Sequence, residues 1–228
     1  MARKNYSNYN QVELNPQILG TNISFLSGTN NHLLELNSNN AQLILNLIDH
    51  DPSYSHKLTE KMFDHHSSLS GGSFPLNDKG AIEDVLIILD IENATQKWRV
   101  KKEVIFKMAD YICDPSKEFY DDLKNGIIAV VDKLVKHVKE QLSRTELSIC
   151  SKACRFFEKK LYGNDAYYAY DKVLIENIPY YANRLGIDIK DDYSCYSDFH
   201  DAMEEIRKAS NRNISKFELD QMIWYAHK

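Results

Sequence analysis

Ser148-Ile149-Cys150-Ser151-Lys152-Ala153-Cys154-Arg155-Phe156-Phe157 and, further on, Ala169-Tyr170-Asp171-Lys172-Val173-Leu174-Ile175 decide how the whole chain is read. In the first stretch Ile149, Ala153, Phe156 and Phe157 recur at three and four residues, the spacing of one helix face. This predicts a helix from Ser148 to about Lys160, closed by Gly163-Asn164-Asp165. The second stretch places Asp171, a short acceptor, just before an apolar run, as a helix N-cap requires. A lysine near the start of one helix is thus followed, nineteen positions later, by an aspartate at the start of the next. Tyr162, Tyr167, Tyr168 and Tyr170 lie between them.

Working outward, the flanking sequence also reads helical. Ser116 opens a long helix in which Leu123, Ile127, Val130, Val131, Leu134, Val138 and Leu142 form one apolar stripe. Lys124, Lys133, Lys136 and Lys139 lie off that stripe. Before it, Thr95 caps a helix through Trp98 to Ile112, with Lys97 and Arg99 near its start. Residues 81–91 are nearly all apolar, and the helical context favours helix over buried strand there. Asn39 or Asn40 caps a short helix over 41–48, and 59–66 forms another turn or two before a loop from Ser67 to Asn77. After Asp171, Pro179 kinks the helix and Gly186 stops it. Ser197 or Asp198 caps a helix through Ala209, and Ser215 caps the last one. The fold class is therefore mostly α. Residues 1–40 form an irregular, Asn-rich N-terminal segment, because asparagine favours turns over helix interiors. Residues 41–228 form the helical domain.

The formal charge of −5 argues against a protein that grips nucleic acid by bulk electrostatics. The charge is uneven, since residues 96–160 hold 15 Lys and Arg against 10 Asp and Glu. That stretch permits a local phosphate-binding face, with Lys133 and Lys136 as its candidates, although a solvated helix surface explains it equally well. The four cysteines form no CxxC pair, as expected of a reduced cytoplasmic protein. No signal pattern and no 18-residue apolar run appear, so a soluble chain off the membrane is expected. His56, Asp64, His65 and His66 lie near one another, but their spacing is not that of a zinc site. Neither metal nor other cofactor is expected.

Lys152 and Asp171 are the ionisable pair that supports specific chemistry. A lysine becomes a nucleophile when desolvated or set in a positive field, such as a helix start or neighbouring cations. Such an amine can attack a sugar C1′ and expel a base. An aspartate can stabilise the oxocarbenium-like charge that develops and can handle protons. Aromatic faces such as Phe156, Tyr167, Tyr168 and Tyr170 suit an unstacked base. A purely structural reading is also complete: Lys152 on the surface, Asp171 as a cap, the rings as core.

The stretch resembles the catalytic region of the helix-hairpin-helix DNA glycosylases, in their 8-oxoguanine DNA glycosylase branch. Ser151-Lys152 falls at the nucleophilic lysine of that family, and Tyr170-Asp171-Lys172-Val173 at its aspartate-containing turn. Phe217-Glu218-Leu219-Asp220-Gln221-Met222-Ile223-Trp224 resembles a closing helix of prokaryotic members of this fold. The resemblance covers about residues 145–185 and, loosely, 80–228. It implies a helical glycosylase/lyase-like fold acting on an N-glycosidic bond of nucleic acid or nucleotide, oxidised guanine included. It implies Lys152 as Schiff-base nucleophile and Asp171 as its electrostatic partner. Ser148 and Ser151 would lie against a nucleic-acid backbone, and prokaryotic antiviral defence is an implied context. Where the family hairpin carries two glycines, this chain has Ser148 and Cys150, which makes close backbone approach to a phosphate harder. A non-catalytic module binding nucleic acid or a protein on the same fold is the alternative.

Overall fold

The structure is a computed structural model that describes residues 5–51, 57–93, 101–143, 145–190, 192–210 and 213–228. Among the described residues it is mostly helical, with ten α-helices and no strand. They are α1 (Ser38–His50), α2 (Lys57–Leu69), α3 (Lys79–Asn93), α4 (Lys102–Ile112), α5 (Phe119–Lys124), α6 (Ala129–Leu142), α7 (Leu147–Tyr162), α8 (Lys172–Leu185), α9 (Tyr196–Ala209) and α10 (Lys216–His227). Thr95, Lys97, Trp98 and Arg99, and His56 of the histidine group, lie outside the described residues. No described helix is long and apolar enough to cross a membrane.

The helices divide into two compact units, Asp51–Ala166 and Met1–His50 together with Tyr167–Lys228. In the first unit α3 packs on α2 and α4, α6 lies against α4 and α7, and α5 lies against α7. The apolar run of α3 buries Ala81, Ile82, Val85, Leu86 and Leu89, so it is a core helix and not a strand. Phe157 of α7 is fully buried at the centre of an aromatic cluster. Its ring centroid lies 5.8 Å from Phe74, 6.4 Å from Phe63, 6.4 Å from Phe119 and 6.5 Å from Tyr120. The start of α2 is capped from α3: the Glu92 carboxylate accepts from the Leu58 and Thr59 N–H groups at 2.7 and 2.8 Å.

In the second unit α10 packs on α1 and α8, and α8 on α9. The Asn-rich segment supplies part of this core, with Leu33, Leu34 and Ile18 fully or almost fully buried. Its asparagines do the work of turns and caps. Asn30 and Asn31 sit at φ 51° and 61°, a left-handed region that asparagine tolerates better than most residues. Asn40 ties Ser24 and Glu35 together, its amide donating to both carbonyls at 2.7 Å. Asn15 caps the 3₁₀ turn Pro16–Ile18 and donates to the Tyr225 carbonyl at 3.0 Å.

Several helix boundaries differ from the expected ones. The long helix expected from Ser116 is two helices preceded by a 3₁₀ turn, Pro115–Lys117, which Asp114 caps through Ser116 N–H at 2.9 Å. The apolar stripe runs on through the break, but Asn125-Gly126 ends α5, with Gly126 at φ 64°. A glycine there takes the left-handed turn without strain, and periodicity alone does not register it. Helix α1 starts at Ser38, with the Asn37 side chain accepting from Asn40 N–H at 2.9 Å, so the cap lies upstream of the two asparagines expected for it. Helix α9 has Cys195 at its N-cap; Ser197 and Asp198 lie inside the first turn, and Asp198 pairs with Lys190 at 2.6 Å. Helix α2 continues through Ser67 and Ser68, whose hydroxyls donate to carbonyls four residues back.

Candidate functional site

Helix α7 carries Ser148, Ser151, Lys152 and Phe156. Its first turn is regular: Cys150 N–H donates to Glu146 O at 3.2 Å, and Ser151 Oγ to Ser148 O at 2.9 Å. Ser148 and Cys150, expected from the resemblance to stand where a hairpin has glycines, are ordinary helical residues, Ser148 exposed and Cys150 fully buried. Burial pushes the Cys150 and Cys154 thiols up, which leaves them as unreactive core groups. Between buried Ser151 and buried Ala153, Lys152 is half-buried, so its side chain reaches the edge of the helix packing. Phe156, also half-buried, makes edge contacts with Phe63 at 5.9 Å and Phe157 at 5.8 Å. On α6, Lys133 pairs with Asp122 at 2.6 Å and Lys136 with Glu140 at 3.8 Å.

Asp171, Tyr167, Tyr168 and Tyr170 belong to the other unit. Asp171 is the N-cap of α8, as its sequence context predicts, and its carboxylate accepts from Val173 N–H at 2.9 Å. An anion at this position is favoured by the unpaired N–H groups and the helix dipole. Tyr167 and Tyr168 are fully buried, whereas Tyr170 is half-buried, donating to Tyr193 O at 3.3 Å and packing edge-on against Phe199 at 5.0 Å.

The sequence gives no hint of the polar network around the chain just before Asp171. Tyr196 Oη accepts from Tyr168 N–H and donates to Tyr168 O, both at 2.8 Å. Asp220 of α10, itself buried, accepts from Ala169 N–H at 2.6 Å. Tyr168 Oη donates to Glu204 at 2.6 Å, and Arg207 donates to the same carboxylate at 3.1 and 3.0 Å. Lys216 lies 3.5 Å from Glu204 and 3.2 Å from His200 Nε2. An ammonium only donates, so His200 Nε2 accepts and its ring proton sits on Nδ1. Burial opposes ionisation of Glu204, but the hydrogen bonds from Arg207 and Tyr168 and the Lys216 charge outweigh it and hold the carboxyl at about 2. The groups in this network come from positions 168, 196, 200, 204, 207, 216 and 220; only the i,i+3 Glu204–Arg207 spacing hints at a pairing beforehand.

A second buried relay runs through α8 and α10. Leu34 N–H donates to Tyr181 Oη at 3.1 Å, and Tyr181 Oη lies 2.9 Å from His227 Nε2. His227 Nδ1 lies 2.8 Å from the Glu13 carbonyl. A carbonyl only accepts, so Nδ1 carries a proton; burial disfavours a second one, so the imidazole is neutral and Nε2 accepts from Tyr181. Elsewhere, His66 Nε2 faces Asp84 at 3.1 Å. Among the described residues no group of three or more His, Cys, Asp and Glu is placed to hold a metal ion. No protein-family model, no curated protein and no solved structure matches this chain.

Proposed function

We propose that the chain acts on an N-glycosidic bond of a nucleobase, in nucleic acid or nucleotide, as a glycosylase/lyase-like protein of helix-hairpin-helix type. Lys152 is the nucleophile and Asp171 the electrostatic partner. The observation that supports the reading is where these two side chains stand, Lys152 half-buried on α7 and Asp171 at the N-cap of α8. Lys152 alone of 151–153 escapes burial, and Asp171 holds its carboxylate at a helix N-terminus. In the reaction, Lys152 Nζ attacks C1′ and the base leaves with the electrons of the C1′–N bond, taking a proton. Opening of the sugar at O4′ then gives a protonated imine. Asp171 stabilises the positive charge on the sugar as the base departs. Phe156 and Tyr170, which are half-buried where Tyr167 and Tyr168 are fully buried, are the aromatic groups for a base; Tyr167 and Tyr168 support the chain behind Asp171.

The non-catalytic alternative has weaker support. Its nucleic-acid version depends on a lysine-rich face, yet Lys133 and Lys136 are matched by Asp122 and Glu140. The unit that holds them has 18 Lys and Arg against 19 Asp and Glu, so it carries no net positive charge as a whole.

Borohydride trapping on abasic and 8-oxoguanine DNA, single- and double-stranded, tests the proposal. Wild-type protein is expected to give a covalent adduct, Lys152→Ala none, and Asp171→Asn at least about tenfold less, the size of effect typical of acid–base and electrostatic groups. Adduct formation undiminished in Lys152→Ala counts against the assignment.

A further inference from the structure

We infer that Asp220 is a positioning residue for Asp171, acting through the buried strap Tyr167–Tyr170; this rests on the role proposed for Asp171. The strap belongs to no helix or sheet, yet Tyr167, Tyr168 and Ala169 are buried, so its backbone groups need partners from elsewhere in the fold. Tyr196 and Asp220 provide several of them. Tyr196 Oη serves both the N–H and the carbonyl of Tyr168, in the manner of a neighbouring strand. Asp220 serves Ala169 N–H with a 2.6 Å charge-assisted bond. Asp220 Oδ1 also accepts from Gln221 Nε2 at 3.3 Å. Two residues beyond Ala169 the strap becomes the N-cap of α8, so the grip of Asp220 fixes where the Asp171 carboxylate is presented. Removing the grip leaves a buried N–H unmet and frees the cap to wander, whereas an amide in place of the carboxylate still offers an oxygen to that N–H.

The test compares Asp220→Ala, Asp220→Asn and Tyr196→Phe in the full chain. Amide hydrogen exchange at Val173, whose N–H reports the Asp171 cap, is measured relative to global unfolding of each variant. Borohydride trapping is measured on the same proteins. Asp220→Ala is expected to raise Val173 exchange at least about tenfold beyond its change in global exchange and to cut trapping at least as much. Asp220→Asn is expected to stay within about threefold of wild type in both. If Asp220→Ala does not fold, Tyr196→Phe, which keeps the ring and loses both strap bonds, is expected to give the same pattern. Val173 exchange and trapping that change no more than global stability does would overturn the inference. If wild-type protein traps nothing, the glycosylase reading falls, and a Val173 response to Asp220→Ala still upholds the placement of Asp171.

Discussion

Acidification from pH 7 to pH 4 is expected to remove about 3 kcal/mol of folding stability through His227 alone. Burial disfavours the imidazolium and holds this side chain down at about 4, against an ordinary value of 6.5; the bond to Glu13 O works the other way, and His32 adds a small lowering. The sign follows from where each state takes up the proton. The unfolded chain protonates near 6.5 and the folded chain only near 4, so acid favours unfolding across that window. The contribution is complete above about 6.5 and is lost progressively as the pH falls to 4. Protonation also disrupts the relay, because a second ring N–H would face the Tyr181 hydroxyl and leave the hydroxyl proton without its acceptor, Nε2. Urea unfolding across this range checks the slope. His227→Gln, which keeps polar atoms but does not titrate, is expected to flatten it. Glu204 adds a separate loss at lower pH. Its carboxyl is depressed to about 2, so its contribution is present above the ordinary 4.5 and falls away towards 2. Screening by solvent at this partly exposed group limits it to about 1–2 kcal/mol.

Phe157→Ala is expected to cost about 3–5 kcal/mol, the range for removing a large aromatic side chain from a closed core. Phe157 has no exposed surface, and the rings of Phe63, Phe74, Phe119, Tyr120 and Phe156 surround it. These rings come from several segments of the 51–166 unit, so relaxation of one of them cannot fill the space. Chemical unfolding followed by a probe in this unit reads the loss. Phe157→Leu is expected to cost clearly less, because much of the volume stays filled. Equal losses in the two variants would mean that ring packing, not volume, carries the stability.

The helices were legible where apolar residues kept a helical period and a cap residue marked the start. Asp171 and Ser215 are both caps, the latter in a reciprocal pair with Glu218. Gly163 and Gly186 end their helices in left-handed conformations, as glycine after an apolar run suggests. The period misled at Gly126, because the apolar stripe continues across a break that one glycine makes. The asparagines at 30 and 31 read correctly as turn-formers, but the burial of Leu33 and Leu34 behind them depends on partners far along the chain. Asp171 was legible as a helix cap. The support around Asp171 was not, because Tyr196, Glu204 and Asp220 lie 25, 33 and 49 residues beyond it in sequence, and only folding brings them to the strap.

The identity of the lysine that bonds to sugar is the most direct test of the proposed chemistry. Wild-type protein is incubated with abasic DNA and borohydride, digested, and the modified peptide is located by mass spectrometry. The account predicts a reduced secondary amine on Lys152 and on no other lysine in stoichiometric yield. Modification at Lys159, Lys160 or Lys216 instead, or no modified peptide, would contradict it.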